Sequence, residues 1–209
     1  MRMKKILKYI PAVFLMSYVT VVNGQVKPEY VFGMNLATMS VKVNGVSYDT
    51  DTPVSFHFGA SLELPVTDNF SLLPTLLFSA KGTDYEIDNV SYSISPIFLE
   101  MPLTAAYSIG SDAFKVTVFS GGYIAFGISG YKIVGAGELK SINYGSGKND
   151  DMRSFDAGLI FGAGVNIRGI LISAQYGMGM SNLSPVASAD SEMKNKVIGI
   201  SVRNRNRFY

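Results

Sequence analysis

Hydrophobic and polar residues alternate with period two along most of this chain, and the alternation predicts strands. It is cleanest at residues 54–64, where Val54, Phe56, Phe58, Ala60, Leu62 and Leu64 share one parity and Ser55, His57, Gly59, Ser61 and Glu63 the other. In residues 98–107, FLEMPLTAAY, the row Leu99, Met101, Leu103, Ala105 and Tyr107 points away from Glu100, Pro102 and Thr104. Successive side chains of a strand point to opposite faces, so each such segment has one face in apolar surroundings. The same pattern places strands at 30–41, 54–64, 70–81, 92–109, 114–127, 155–167, 170–180 and around 198–203. In the fourth of these the apolar parity switches between Ile94 and Ile97, beside Pro96, which predicts a bulge. Pro74, Pro96 and Pro102 lack a backbone donor, so bulges or unpaired strand ends are expected there.

The connections alternate in length. Segments 42–52, 82–91, 128–152 and 182–195 are long and polar, whereas 65–69, 110–113 and 168–169 are short turns. Period two by itself fits a lipocalin-like barrel as well as a membrane barrel. Alternating short turns and long loops favour the membrane barrel, with the turns in the periplasm and the loops outside. Composition adds to this: charged residues make up only 16% of the chain, against roughly 25% in soluble domains. The non-apolar parity carries Ser, Gly, Thr, Asn and Gln with isolated charges, where a water-facing sheet would carry many Lys and Glu. At the turn end of the strands the apolar parity carries Tyr30, Phe70, Tyr107, Phe114 and Phe208, as an interfacial girdle does, and Phe78, Phe126 and Phe155 make a sparser second ring. Backbone groups in hydrocarbon must all be paired, so the strands must close on themselves. The expected fold is therefore an all-β, eight-stranded antiparallel up-and-down transmembrane β-barrel in contact with outer-membrane lipid, both termini in the periplasm.

Residues 1–24 read as a secretory signal: Arg2, Lys4, Lys5 and Lys8 precede an apolar run from Ile10 to Val22, with cleavage expected after Gly24. Residues 25–209 then form the single barrel domain. Removing the signal takes four of the 18 Lys and Arg and none of the 16 Asp and Glu, so the remainder is about neutral to slightly acidic. That argues against nucleic acid as a partner, since its binding needs a surplus of clustered Lys and Arg. No cysteine is present, which removes disulfides, thiolate metal sites and a thiol nucleophile.

Chemistry is confined to polar residues on the inward parity: His57, Glu63, Glu100, Asp156, Gln175 and Arg203, with Lys81 and Lys115 beside them. They could line a lumen that binds or conducts a solute, or form an ion-paired plug. Eight strands leave an interior just wide enough for side chains, and an unpaired charge there costs several kcal/mol, so the plug is preferred. Glu100 with Arg203 is the pairing expected first. His57 with Asp156 and Ser154 is the one hydrolytic arrangement worth weighing, and no catalytic, cofactor or metal residue is assigned. A non-enzymatic structural or interaction role is expected, with a small channel or ligand-binding barrel as the alternative.

Residues 98–107, the segment Gly121-Gly122-Tyr123 to Phe126-Gly127 and the run ISAQYGMGMSNL at 172–183 resemble the PorT-like outer-membrane β-barrel family of the Bacteroidetes. The resemblance spans nearly all of the chain beyond the signal, and its motifs are barrel motifs without catalytic content. It implies envelope or secretion-complex proteins as partners and a role accessory to protein secretion or envelope assembly.

Overall fold

The computed structural model describes residues 27–205 apart from 44, 49, 88, 112, 148 and 186–190. The expected signal and the terminal Phe208–Tyr209 lie outside the described residues. The strands are β1 (Lys27–Val43), β2 (Val46–Tyr48), β3 (Thr50–Asp51), β4 (Val54–Pro65), β5 (Phe70–Ala80), β6 (Thr83–Ile87), β7 (Val90–Ser111), β8 (Phe114–Val134), β9 (Lys140–Ser141), β10 (Phe155–Ile167), β11 (Ile170–Gly179) and β12 (Glu192–Arg205).

Antiparallel pairings run β1–β4–β5–β7–β8–β10–β11–β12 and return to β1 through 14 paired positions, from Glu29↔Arg205 to Lys42↔Glu192. The eight long strands thus close, each beside its neighbour in sequence, and the ring has no open edge to leave unpaired. Followed once round, the register that starts at Glu29 returns to β1 near Met39. That stagger of about ten residues means the strands tilt against the barrel axis. Lys27 of β1 and Arg205 of β12 lie at the same end as the short β4–β5, β7–β8 and β10–β11 connections, and the long connections gather at the other end.

The alternation read from sequence sorts the two faces. Phe32, Val54, Phe56, Leu103, Ile109 and Val118 lie on the outside, each about half exposed or more. On the inside Glu100, Thr104, Asp156 and Ser201 are each at most 5% exposed. So continuous an apolar exterior has no place in water, whereas in lipid it matches its solvent. Along it Phe58 stacks on Phe78 and Phe126 meets Phe155, both with ring centroids 5.4 Å apart.

Prolines interrupt the pairing where expected. The β4–β5 ladder breaks opposite Pro74, between Ser61↔Thr75 and Leu64↔Leu72, and the β5–β7 ladder breaks at Pro102, between Pro74↔Leu103 and Leu77↔Glu100. Beside Pro96 the register shifts between Ile97 and Phe98. The extra residue is Ile128 of β8, between Gly127 and Ser129, so β7 does not change parity: Ile94 and Phe98 both point inward and are buried. What the sequence pattern shows as a switch is two apolar residues turned into the lumen.

Two strands outrun their expected limits by six residues or more. β8 continues through residues 128–134, where the bulge interrupts the alternation, and β12 begins at Glu192, because Lys194 and Lys196 stand where an apolar parity would be sought. Beyond the barrel wall β7 and β8 carry a small sheet, with β6 and β3 on one side and β9 on the other.

Candidate functional site

β-strand parity alone delivers the inward side chains, and tilt then decides which of them share a level. Three groups result.

The first is cationic at its centre. Lys81, just past β5, is 3% exposed, and its Nζ lies 2.7 Å from Glu100 Oε2 of β7 and 3.7 Å from Asp156 Oδ2 of β10. The ammonium also faces the rings of Tyr123, 4.7 Å from the centroid, and Phe98, 5.1 Å, both attractive through the aromatic quadrupole. Asp156 accepts hydrogen bonds from the Tyr123 hydroxyl (3.0 Å) and from Asn195 Nδ2 (2.7 Å). One ammonium between two carboxylates, with neutral donors on the second, is how buried charge is made tolerable.

The second group is a hydrogen-bonded chain. Asn35 Nδ2 donates to Ser79 Oγ (3.1 Å) and to the Ala80 carbonyl (2.9 Å), which turns its Oδ1 toward His57 Nδ1 at 2.7 Å. His57 Nδ1 is therefore the donor, leaving Nε2 to accept from Ser201 Oγ at 2.8 Å. Hydroxyl, imidazole and amide stand in the order of a nucleophile, base and orienting group. Ser201 is only 1% exposed, however, and the cavity beside His57, lined also by Asn35, Lys81, Glu100, Tyr123 and Gln175, measures about 10 Å³. That is room for roughly one water molecule, and no acyl substrate fits.

The third group lies nearer the turns. Ser71 Oγ donates to Glu63 Oε1 (3.1 Å), and the Arg203 guanidinium sits over the Phe119 ring at 5.5 Å. Glu29, 1% exposed, is at the same end.

All six residues singled out from sequence, His57, Glu63, Glu100, Asp156, Gln175 and Arg203, point into the lumen, but they do not make one network. Glu100 pairs with Lys81 rather than Arg203, because strand stagger leaves Arg203, opposite Val31, closer to the turns. His57 engages Asn35 and Ser201, not Asp156 or Ser154. Gln175 is half-buried and only lines the cavity. Asn35, Tyr123 and Asn195 were not singled out. Asn35 and Tyr123 stand on the inward parity of their strands, a signal that was available; Asn195 falls where a loop was expected.

Above the Lys81 group the lumen is apolar. Met39, Ile94, Phe98 and Met193 of the wall pack with Ile142, Met152 and Leu183, which the long connections fold inward. Backbone bonds fix that inward course: Ile142 N donates to Gly130 O, Arg153 N to Leu183 O, and Leu183 N to Met193 O. Tyr85 packs against the cluster, and burial pushes its hydroxyl up to about 12, so it stays protonated at neutral pH. Lys132 and Asp151 form an ion pair at the rim.

The family model described as outer membrane protein beta-barrel domain matches residues 24–184. No curated protein matches the chain. Among solved structures the chain is similar to Ail, the attachment invasion locus protein of Yersinia pestis, at 14% identity over 86% of this chain and 99% of that one, with a TM-score of 0.43. It is similar also to Neisserial surface protein A, at 11% identity over 85% and 97% with a TM-score of 0.41. OprG from Pseudomonas aeruginosa matches at 12% over 87% and 95%, again with a TM-score of 0.41. At these identities and scores the likenesses carry nothing about activity or ligand.

Proposed function

The chain belongs to the outer membrane protein beta-barrel domain family, and from that premise we propose that it is a non-enzymatic, non-conducting barrel with a structural or interaction role. The observation that carries this is the filled lumen. Lys81 is paired with Glu100 and lies near Asp156, the imidazole is held at both nitrogens, and an apolar lid of Ile142, Met152 and Leu183 closes one end. A permeating ion would have to break those pairings and displace the lid. The hydroxyl–imidazole–amide chain holds the wall together and has no access for a substrate.

In this reading residues 1–24 direct export, the turns and both termini face the periplasm, and the long connections face outward, as in bacterial barrels generally. Partner contacts then fall to the sheet beyond the barrel wall and the connection after it, where Val90, Tyr131, Val134 and Leu139 are exposed. The resemblance to the PorT-like family supports envelope or secretion-complex proteins as those partners, in a role accessory to secretion or envelope assembly.

Planar-bilayer recording of the refolded barrel tests the central part. The expected result is a silent bilayer despite insertion confirmed by heat-shifted gel mobility. Steady conductance steps would establish the small-channel alternative instead. The accessory role is read separately, as loss of secreted cargo from the medium on deletion of the gene, restored by the gene.

A further inference from the structure

Among the described residues, outward-facing charge on the eight barrel strands is confined to one place. Among the described residues the charged side chains on the outward parity are Lys42 of β1 and Glu192, Lys194 and Lys196 of β12, all at the loop end of one seam. Lys42 is paired in register with Glu192, Ser40 with Lys194 and Thr38 with Lys196. The next outward step along the seam is Leu36↔Ile198, and on the other side Lys196 lies opposite Met178 of β11. Leu36, Met178 and Ile198 are exposed members of the apolar exterior. The lysines thus stand at the boundary where hydrocarbon ends.

Their charge is unbalanced. Lys194 pairs with Glu192 at 2.9 Å, while Lys42 and Lys196 have no ion-pair or hydrogen-bond partner among the described residues. Among the described residues, three ammonium groups against one carboxylate make a positive patch that looks sideways into the membrane. Lysine tolerates such a level by lying along apolar surface and extending its head to the interface. An anionic headgroup in the same plane completes the arrangement, since ammonium groups bind phosphate as compact charges and basic clusters at a membrane surface attract anionic lipid.

We propose that this seam is a binding site for a phosphorylated glycolipid of the outer leaflet. A lipid phosphate bridges Lys194 and Lys196, and an acyl chain lies along Leu36, Met178 and Ile198. The choice of leaflet rests on the outward placement of the long connections proposed above. An inverted barrel would offer the same lysines to phospholipid of the inner leaflet.

Native mass spectrometry of the full barrel, released from neutral detergent after titration with bisphosphorylated lipid A, tests the site. The expected result is a retained lipid A whose occupancy falls at least fivefold in Lys194→Gln/Lys196→Gln, and as much when the lipid A is dephosphorylated. Lys194→Arg/Lys196→Arg keeps occupancy within twofold. Heat-shifted gel mobility confirms that each variant is folded, and Lys196→Gln alone serves if the pair is not. Equal retention by the Gln variant, or of dephosphorylated lipid A, would overturn the site. Equal, lysine-dependent retention of phosphatidylglycerol would overturn its assignment to a glycolipid. Antibody access to a tag in the 135–139 connection on intact cells reads the orientation separately, and failure there leaves the detergent result untouched.

Discussion

The two faces of β7 obey opposite rules although they alternate along one strand. Leu99, Met101 and Leu103 look outward and need only be apolar, because lipid accommodates any shape. Glu100, Pro102 and Thr104 look inward, where Glu100 is cut off from bulk solvent and meets the ammonium of Lys81 at 2.7 Å. The exterior therefore specifies the solvent, and the interior specifies which strand lies beside which, and at what depth. An error outside costs according to polarity, an error inside according to what it leaves unpaired.

The largest effect expected from breaking that contrast is at Lys81. Lys81→Met removes the one ammonium between Glu100 and Asp156, and an uncompensated buried charge costs about 3–5 kcal/mol. The temperature at which the folded, fast-migrating gel band disappears should fall sharply. Lys81→Met/Glu100→Leu should recover part of the loss, which a simple packing defect would not allow.

The outward counterpart is Leu103, 57% exposed at mid-wall. Leu103→Arg should cost about 2–4 kcal/mol in bilayer unfolding titrations, as a cation does at the membrane midplane. Leu103→Ile, with its polarity unchanged, should stay under about 1.5 kcal/mol. A comparable cost for both would mean that shape, not polarity, governs the exterior.

The smallest test uses two adjacent glycines. A Cβ at inward Gly121 would lie 2.1 Å from the Leu103 carbonyl oxygen, whereas one at outward Gly122 would meet nothing nearer than the Gly158 oxygen at 3.5 Å. Gly121→Ala should therefore cost about 1–3 kcal/mol in the same titration, and Gly122→Ala should be within about 0.5 kcal/mol of neutral.

Parity was legible in the sequence because a lipid-facing wall enforces it residue by residue; hence the strand positions and the inward direction of His57, Glu63, Glu100, Asp156, Gln175 and Arg203. Depth was not legible. Whether Glu100 meets Lys81 or Arg203 depends on the stagger accumulated over several strand pairs, and no single strand carries that quantity. Parity also failed where its cause is absent. At residues 192–197 the strand rises past the hydrocarbon, Lys194 and Lys196 replace apolar residues, and Asn195 was thereby hidden from the lumen it serves. In residues 92–98 apolar Ile94 and Phe98 face inward to the lid, so hydrophobicity there marks an interior cluster and not the wall.

The most direct measurement is a nitroxide scan of residues 98–107, which the absence of native cysteine makes straightforward. Single cysteines are labelled in the barrel in lipid vesicles, and collision rates with oxygen and with a water-soluble nickel chelate are recorded. Positions 99, 101, 103 and 105 should show high oxygen access and little nickel access, and positions 100, 102 and 104 should show little of either. Nickel access at 100, 102 and 104 would mean a water-filled lumen and would contradict the plug; loss of the alternation would contradict the lipid-facing wall itself.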